Sequence, residues 1–358
     1  MQTPSRSRFV GCLLGGALGD ALGYPIEFEG PGQVLLDRYG STPPSTLLYQ
    51  GGEVALVSDD TQMTLFTAEG LIRARRAGEA DPTRYVLSAY QRWYATQAMR
   101  PGQAPLVRTP QTQGLLLADA RLHARRAPGN TCLSALAASF AGRPQPSVEN
   151  PPNYSKGCGA VMRSAPFGLV SESAEAAFLR ARDAGVLTHG HPSGYLSGAY
   201  FAALVFELAR GTSPSLALER CDALLAREAE HDELRAILRR ARELLPDGLP
   251  STEDIERLGE GWTGEEALAI ALVCALTTGE SEHEVREALW RSVAHGGDSD
   301  STGSLTGNLL GAMYGAEALP KAWLSELEMT DLIERVAVDL WHADEAPAKL
   351  DSSAYPLG

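Results

Sequence analysis

Two short acidic clusters of the same form carry the strongest chemical signal in the chain: Ser58-Asp59-Asp60-Thr61 and Asp298-Ser299-Asp300-Ser301, about 240 residues apart. Each opens a stretch with helical periodicity. One reading is purely structural: Ser, Thr and Asp at a helix start accept from orphan backbone N–H groups and oppose the macrodipole, contributing about 0.5–2 kcal/mol per cap. One cap residue meets that need. Two carboxylates within three residues, twice over, repel each other unless a cation sits between them. An all-oxygen set, with neither Cys nor His inside either four-residue cluster, suits Mg²⁺ or Mn²⁺ rather than Zn²⁺. Spacing alone leaves capping and metal binding both open.

Three further segments hold polar groups of interest. Glu27 follows an apolar, glycine-rich stretch that Pro25 terminates. In Asn153–Arg163, Gly157-Cys158-Gly159 places two glycines around one residue before an apolar run, which offers N–H groups to an anion or simply makes a tight turn. Thr188-His189-Gly190-His191-Pro192 contains an HxH pair, a poor zinc site because no cysteine pair or further histidine lies at ligand spacing. Cys158 and His189 also permit a Cys–His nucleophilic hydrolase. Nothing in the sequence supplies a third group to orient that histidine, and the paired carboxylates would have no role. The arginine groups at 73–76, 121–126 and 239–242 read as solvated helix faces.

The elements that must position these groups are helices. Apolar residues recur at helical spacing from Leu13 to Leu22 and through about a dozen later stretches, separated by Pro/Gly-rich breaks, while alternating strand-like runs are scarce. The expectation is an all-α fold forming one domain over 8–343, with a flexible tail over 344–358. Gly11, Gly15, Gly19 and Gly23 recur every fourth residue, as do Gly303, Gly307, Gly311 and Gly315. Each interior glycine costs up to about 1 kcal/mol of helix propensity relative to alanine, so close backbone approach between helices must offset it.

Composition bounds the rest. The 358 residues, 44% of them hydrophobic, can bury a substantial core. A formal charge of −14 disfavours general nucleic-acid binding but not phosphate-bearing small molecules, which backbone N–H groups and bound cations can hold. Five dispersed cysteines without a CxxC pair read as reduced thiols in a cytoplasmic protein. The apolar run from Phe9 is broken at Asp20, too soon to span a bilayer, so no membrane partner is expected. No coiled-coil heptad forces an assembly, and a monomer is expected.

Taken together, the segments resemble the ADP-ribosylglycohydrolase family. GCLLGGALGDALGYPIEF, SDDTQMTLFTAEGLI, YSKGCGAVMRSAPFGL, THGHPSGYLSGAYFAALV, GWTGEEALAIALVCAL and HGGDSDSTGSLTGNLLGAMYG follow the family's order from residue 11 to about 315. The resemblance implies an orthogonal all-α fold, a cleft with two divalent cations (Mg²⁺ or Mn²⁺), and hydrolysis of the bond joining ADP-ribose to a modified target, with protein arginine the leading acceptor. It places metal ligands on Ser58, Asp59, Asp60, Asp298, Asp300 and Ser301. It puts Glu27 beside the scissile bond, and substrate contacts on Gly157, Cys158, Gly159, His189, Gly296, Gly297 and Ser299. Acid/base work falls to Glu27 and Asp60. Alternative acceptors are serine, nucleic-acid ends and O-acetyl-ADP-ribose, and the alternative of another class is a non-catalytic ADP-ribose-binding or crystallin-like relative. Three departures stand out. Ser58 and Ser301 replace threonines, Cys158 replaces a frequent asparagine, and 107–114 lacks the family's usual glycine-rich loop.

Overall fold

In the computed structural model, which describes residues 3–98 and 113–357, the two glycine ridges lie against each other. Helices α1 (Arg6–Gly23), α2 (Asp59–Arg76) and α4 (Ser299–Tyr314) end or begin beside the cleft discussed below, and α3 (Pro192–Ala209) packs through Gly194 and Gly198 against residues 155–160, which flank its wall. A Cβ on Gly15 would stand 2.3 Å from the Gly307 carbonyl oxygen, and one on Gly19 would stand 2.0 Å from that of Gly303. Gly11 meets Gly311 and Gly315, and Gly23 meets Ser299, so α1 and α4 run antiparallel with their backbones touching. This is the gain that offsets the poor helix propensity of glycine.

Local signals fix the ends of this pair. The Ser5 side chain accepts from Arg8 N–H at the start of α1, and Gly315 closes α4 at φ +83°, a conformation that favours glycine. The end of α1 and the start of α4 therefore lie side by side. Helix α3 is buried along its whole length, and Gly264–Leu276 and Thr330–Glu345 complete the core around the pair. Among the described residues there is no β-strand, only isolated bridges at Ala55–Leu327 and Gly157–Thr263. By length and composition the helical stretch Arg6–Ile26 is apolar enough to cross a membrane, but nearly all of it is packed inside the fold.

Two sequence expectations change here. The chain beyond residue 344 does not hang free: Tyr355 is fully buried and donates from Oη to Asp339 Oδ2 at 2.9 Å, and Leu115 N–H donates to the Ala354 carbonyl at 2.8 Å. Arg73 and Arg76, expected on a solvated face, donate to the carbonyls of Pro356 and Tyr355. Arg73 is itself buried and pairs with Glu69 at 2.7 Å. A terminal segment that supplies backbone acceptors to arginines leaves no hydropathy signal, which explains why composition suggests a loose tail. Of the segment 107–114, residues 107–112 lie outside the described residues.

Candidate active site

The two acidic clusters sit at the N-termini of α2 and α4, as their cap-like composition suggests. Ser58 Oγ accepts from Asp60 N–H at 3.2 Å, and Asp298 caps α4 by accepting from Ser301 N–H at 3.3 Å. Both the capping and the clustering readings hold, since the carboxylates, the capping Asp298 included, turn toward one cleft of about 320 Å³. Its wall includes Glu27, Asp59, Asp60, Asp298, Asp300 and Ser301, together with Gly157, Cys158, Gly159 and His189. Glu27 reaches it because α1 ends in a single tight turn, Tyr24–Ile26, whose Pro25 redirects the chain.

Other sequence-selected residues lie elsewhere. Ser58, Gly296, Gly297 and Ser299 are not on the cleft wall. Ser299 Oγ donates to the Gly23 carbonyl at 3.1 Å and so belongs to the α1–α4 contact. Gly296 packs against Pro31, and Gly297 takes φ +134° with the Glu260 carbonyl where a Cβ would go. Both are glycines for reasons of packing and conformation. The loop at 157–159 is also less open to an anion than two glycines suggest. Cys158 N–H donates to the Trp262 carbonyl at 3.1 Å, and Gly157 N–H leans on Ser155 Oγ at 3.4 Å. Gly159 makes room for His189, whose Cε1 would lie 2.7 Å from a Cβ there.

Sequence reasoning missed Asp20. This fully buried carboxylate on α1 accepts from Ser58 N–H at 2.9 Å and Thr61 N–H at 3.1 Å, and from the Thr61 hydroxyl, so it clamps the start of α2 to α1. Its signal is visible in retrospect as a lone charge inside an apolar, glycine-rich helix. Missed as well were Phe28 and Trp262, stacked at 5.7 Å on the cleft rim, and the turn at Ala127–Asn130, from which Gly129 N–H donates to Asp59.

The electrostatics of this cluster are costly without a cation. Burial, and then the neighbouring Asp300, push Glu27 up to about 10 and Asp20 up to about 7. The same two causes hold Asp59, Asp60 and Asp298 well above the usual carboxylate range. Glu27, Asp298 and Asp300 each present an oxygen within 4.8 Å of the others. Glu27 Oε2 and Asp60 Oδ2 are buried without a hydrogen-bond partner. Hard oxygen donors converging with unsatisfied lone pairs fit a divalent cation such as Mg²⁺ or Mn²⁺. Cys158 adds a soft element, since its thiol donates to Asp298 Oδ2 at 2.8 Å.

The raised carboxylates give a signed pH prediction. The folded metal-free protein holds protons that the unfolded chain has lost, so these groups favour folding below about pH 4, and that contribution fades as pH rises through 7 toward 10. After chelation, the melting temperature should fall between about pH 5 and pH 9, and Mg²⁺ or Mn²⁺ should restore more of it at the alkaline end. Differential scanning fluorimetry across that range checks both trends. A metal-induced shift larger at pH 5 than at pH 8 would contradict the assignment.

The sequence profile described as ADP-ribosylglycohydrolase matches residues 1–349. The chain belongs to the ADP-ribosylglycohydrolase family. It is 28% identical to ADP-ribosylhydrolase ARH3 of Danio rerio, over 94% of this chain and 90% of that protein. It is 25% identical to ADP-ribosyl-[dinitrogen reductase] glycohydrolase of Rhodospirillum rubrum (92% and 93% covered) and to ADP-ribosylarginine hydrolase Tri1 of Serratia proteamaculans (95% and 81% covered). A solved structure, an ADP-ribosylglycohydrolase-related protein complex, superposes with a TM-score of 0.63 at 24% identity, covering 95% of this chain and 98% of its own, and bears out the all-α fold. The acidic cleft is thus a cleft in an ADP-ribosylglycohydrolase, an enzyme that cleaves a bond to ADP-ribose.

Proposed function

We propose that this ADP-ribosylglycohydrolase releases mono-ADP-ribose from arginine side chains of modified proteins, with two divalent cations, Mg²⁺ or Mn²⁺, held by Asp59, Asp60, Asp298, Asp300 and Ser301. The observation that carries the arginine reading is the cleft wall, which holds five carboxylates and no lysine or arginine among the described residues. Two divalent cations would bring the five carboxylates from −5 to −1, so the loaded wall stays anionic, which favours a guanidinium acceptor and disfavours the extra phosphates of a nucleic-acid end. The Serratia proteamaculans relative, an ADP-ribosylarginine hydrolase, supports the same reading, and the Rhodospirillum rubrum relative, named for dinitrogen reductase, supports a protein target. When bound, divalent cations supply Lewis-acid polarisation of water and ribose hydroxyls and neutralise the cluster.

The chain's own residues do the rest. Glu27, with one unpartnered oxygen and a raised proton affinity, is placed to hold or move a proton beside the sugar, and its anion would stabilise positive charge developing on the ribose. Asp60, which likewise has a free buried oxygen, is the second candidate. A structural or purely binding protein has no need of this mutually repelling set.

The test is a panel: divalent-dependent release of ADP-ribose from arginine-modified protein, serine-modified protein, an ADP-ribosylated nucleic-acid end and O-acetyl-ADP-ribose. Release from arginine should be the fastest, and a faster serine reaction would reassign the acceptor. On the preferred substrate, Glu27→Gln should lower kcat about 10²–10⁴-fold while reducing the divalent thermal shift far less than Asp298→Asn with Asp300→Asn does. Wild-type turnover in that variant would remove Glu27 from the chemistry.

A further inference from the structure

One buried cation lies next to the cleft without touching it. Arg163 is 1% exposed, and its guanidinium sits 4.2 Å over the ring of Tyr90. Its Nη1 is directed at Cys132 Sγ (3.4 Å) and Met63 Sδ (3.6 Å), and its Nη2 at the Ala184 carbonyl (3.4 Å). The shortest contact is from Nη2 to Thr188 Oγ1, at 2.6 Å. Thr188 is fully buried, and its Oγ1 lies 2.8 Å from His189 Nδ1. The three residues form a chain from an interior charge to a ring on the cleft wall.

The direction of that chain follows from donor chemistry. A guanidinium has only donors, so Thr188 Oγ1 accepts from Arg163 and keeps its single proton to donate. Two acceptors adjoin that hydroxyl, His189 Nδ1 and the Cys132 sulfur. The ring nitrogen is the better one, because thiol sulfur accepts weakly. Nδ1 then carries a lone pair, and the imidazole proton sits on Nε2. Nε2 faces the glycine loop: it would lie 3.5 Å from a Cβ on Gly157 and 3.1 Å from one on Gly159.

We infer that Arg163 and Thr188 are positioning residues that lock His189 as a neutral Nε2–H donor aimed at the ribose and phosphate oxygens of ADP-ribose beside the 157–159 loop. Identification of the ligand rests on the proposed function; the tautomer does not. Burial, and then the adjacent Arg163 charge, hold the imidazole neutral by lowering its pKa to about 3, so the donor keeps its form between about pH 5 and pH 8. In this respect the loop and the histidine divide the task. The loop's backbone donors are partly committed inside the protein, and the ring supplies the N–H they do not.

The experiment is long-range ¹H–¹⁵N correlation on ¹⁵N-histidine-labelled full-length protein, with the His189 signals assigned by their loss in His189→Gln. Wild type without ligand should show the Nε2–H tautomer, unchanged between about pH 5 and pH 8. Thr188→Val should lose that fixed tautomer and raise the Kd for ADP-ribose about tenfold, and Thr188→Ser should restore both to within about twofold. An Nδ1–H tautomer or a titrating imidazole in wild type overturns the inference, as does Thr188→Val with wild-type tautomer and Kd. Should Thr188→Val fail to fold, the wild-type spectrum and the Thr188→Ser variant still decide the tautomer. An Nε2–H tautomer in a wild-type protein that does not bind ADP-ribose would support the lock and overturn the functional reading instead.

Discussion

Asp298→Asn combined with Asp300→Asn is expected to abolish the thermal shift produced by Mg²⁺ or Mn²⁺ and to lower turnover by about 10³-fold or more, with far-UV circular dichroism unchanged. The size follows from what the two carboxylates do. Asp300 is the charge that, after burial, most raises Glu27, Asp59, Asp60 and Asp298, so removing it relieves the whole cluster. Asp298 adds a second oxygen within 4.8 Å of Glu27 and Asp300. Amides at both positions keep the volume and much of the hydrogen bonding at the start of α4 while removing two of the charges a divalent cation needs. The metal-free variant should therefore melt at or above the temperature of the metal-free parent at neutral pH, because a repulsion has been removed. A double variant that is still stabilised by divalent ions would place the metal elsewhere.

The second large effect concerns packing. Gly307→Val should destabilise the fold by about 3 kcal/mol or more, lowering the melting temperature by about 6 °C or more, and should take the divalent response down with it. A Cβ on Gly307 would stand 1.9 Å from the Gly15 carbonyl oxygen, and 2.4 Å from the carbon that bears it. Backbone on a packed helix cannot swing aside as a flexible side chain can, so α1 and α4 must separate. Gly307→Ala, which gains up to about 1 kcal/mol of helix propensity, should still lose stability, and this separates steric conflict from propensity. Gly52→Ala is the control. Its Cβ would have nothing nearer than 3.9 Å, and a change within about 0.5 kcal/mol is expected. Thermal and chemical denaturation of the three variants gives the comparison, and wild-type stability in Gly307→Ala would refute the close approach.

How much of this was legible in the sequence depends on the range of the interaction concerned. The helices were readable because periodicity is local, and the ridge Gly11/15/19/23 announced its partner ridge because glycine at four-residue spacing has few other uses in a buried helix. The acidic clusters were readable because cap positions and charge repulsion are properties of a few adjacent residues. Asp20 was not, since its role as the clamp on Ser58 and Thr61 exists only once α1 meets α2. The committed N–H of Cys158 depends on Trp262, more than 100 residues away in the chain. Gly296, Gly297 and Ser299 adjoin Asp298 in sequence but are not on the cleft wall: a Cβ on either glycine would meet Pro31 or Glu260, and the Ser299 hydroxyl donates to the Gly23 carbonyl.

The antiparallel contact of α1 with α4 has a consequence for the order in which the site can come into being. One acidic half-site lies after α1, on Glu27 and at the start of α2, and the other opens α4, about 240 residues later. Synthesis delivers the N-terminal part first, at about 5–20 residues per second. Until the glycine ridge of α4 has emerged, α1 has no surface that fits its own, and Glu27, Asp59 and Asp60 have no Asp298 or Asp300 opposite them. Closing so long a loop makes folding slow by topology. It also means that no early fragment carries the assembled carboxylate cluster, so the cleft is completed only when the packing of α1 against α4 is.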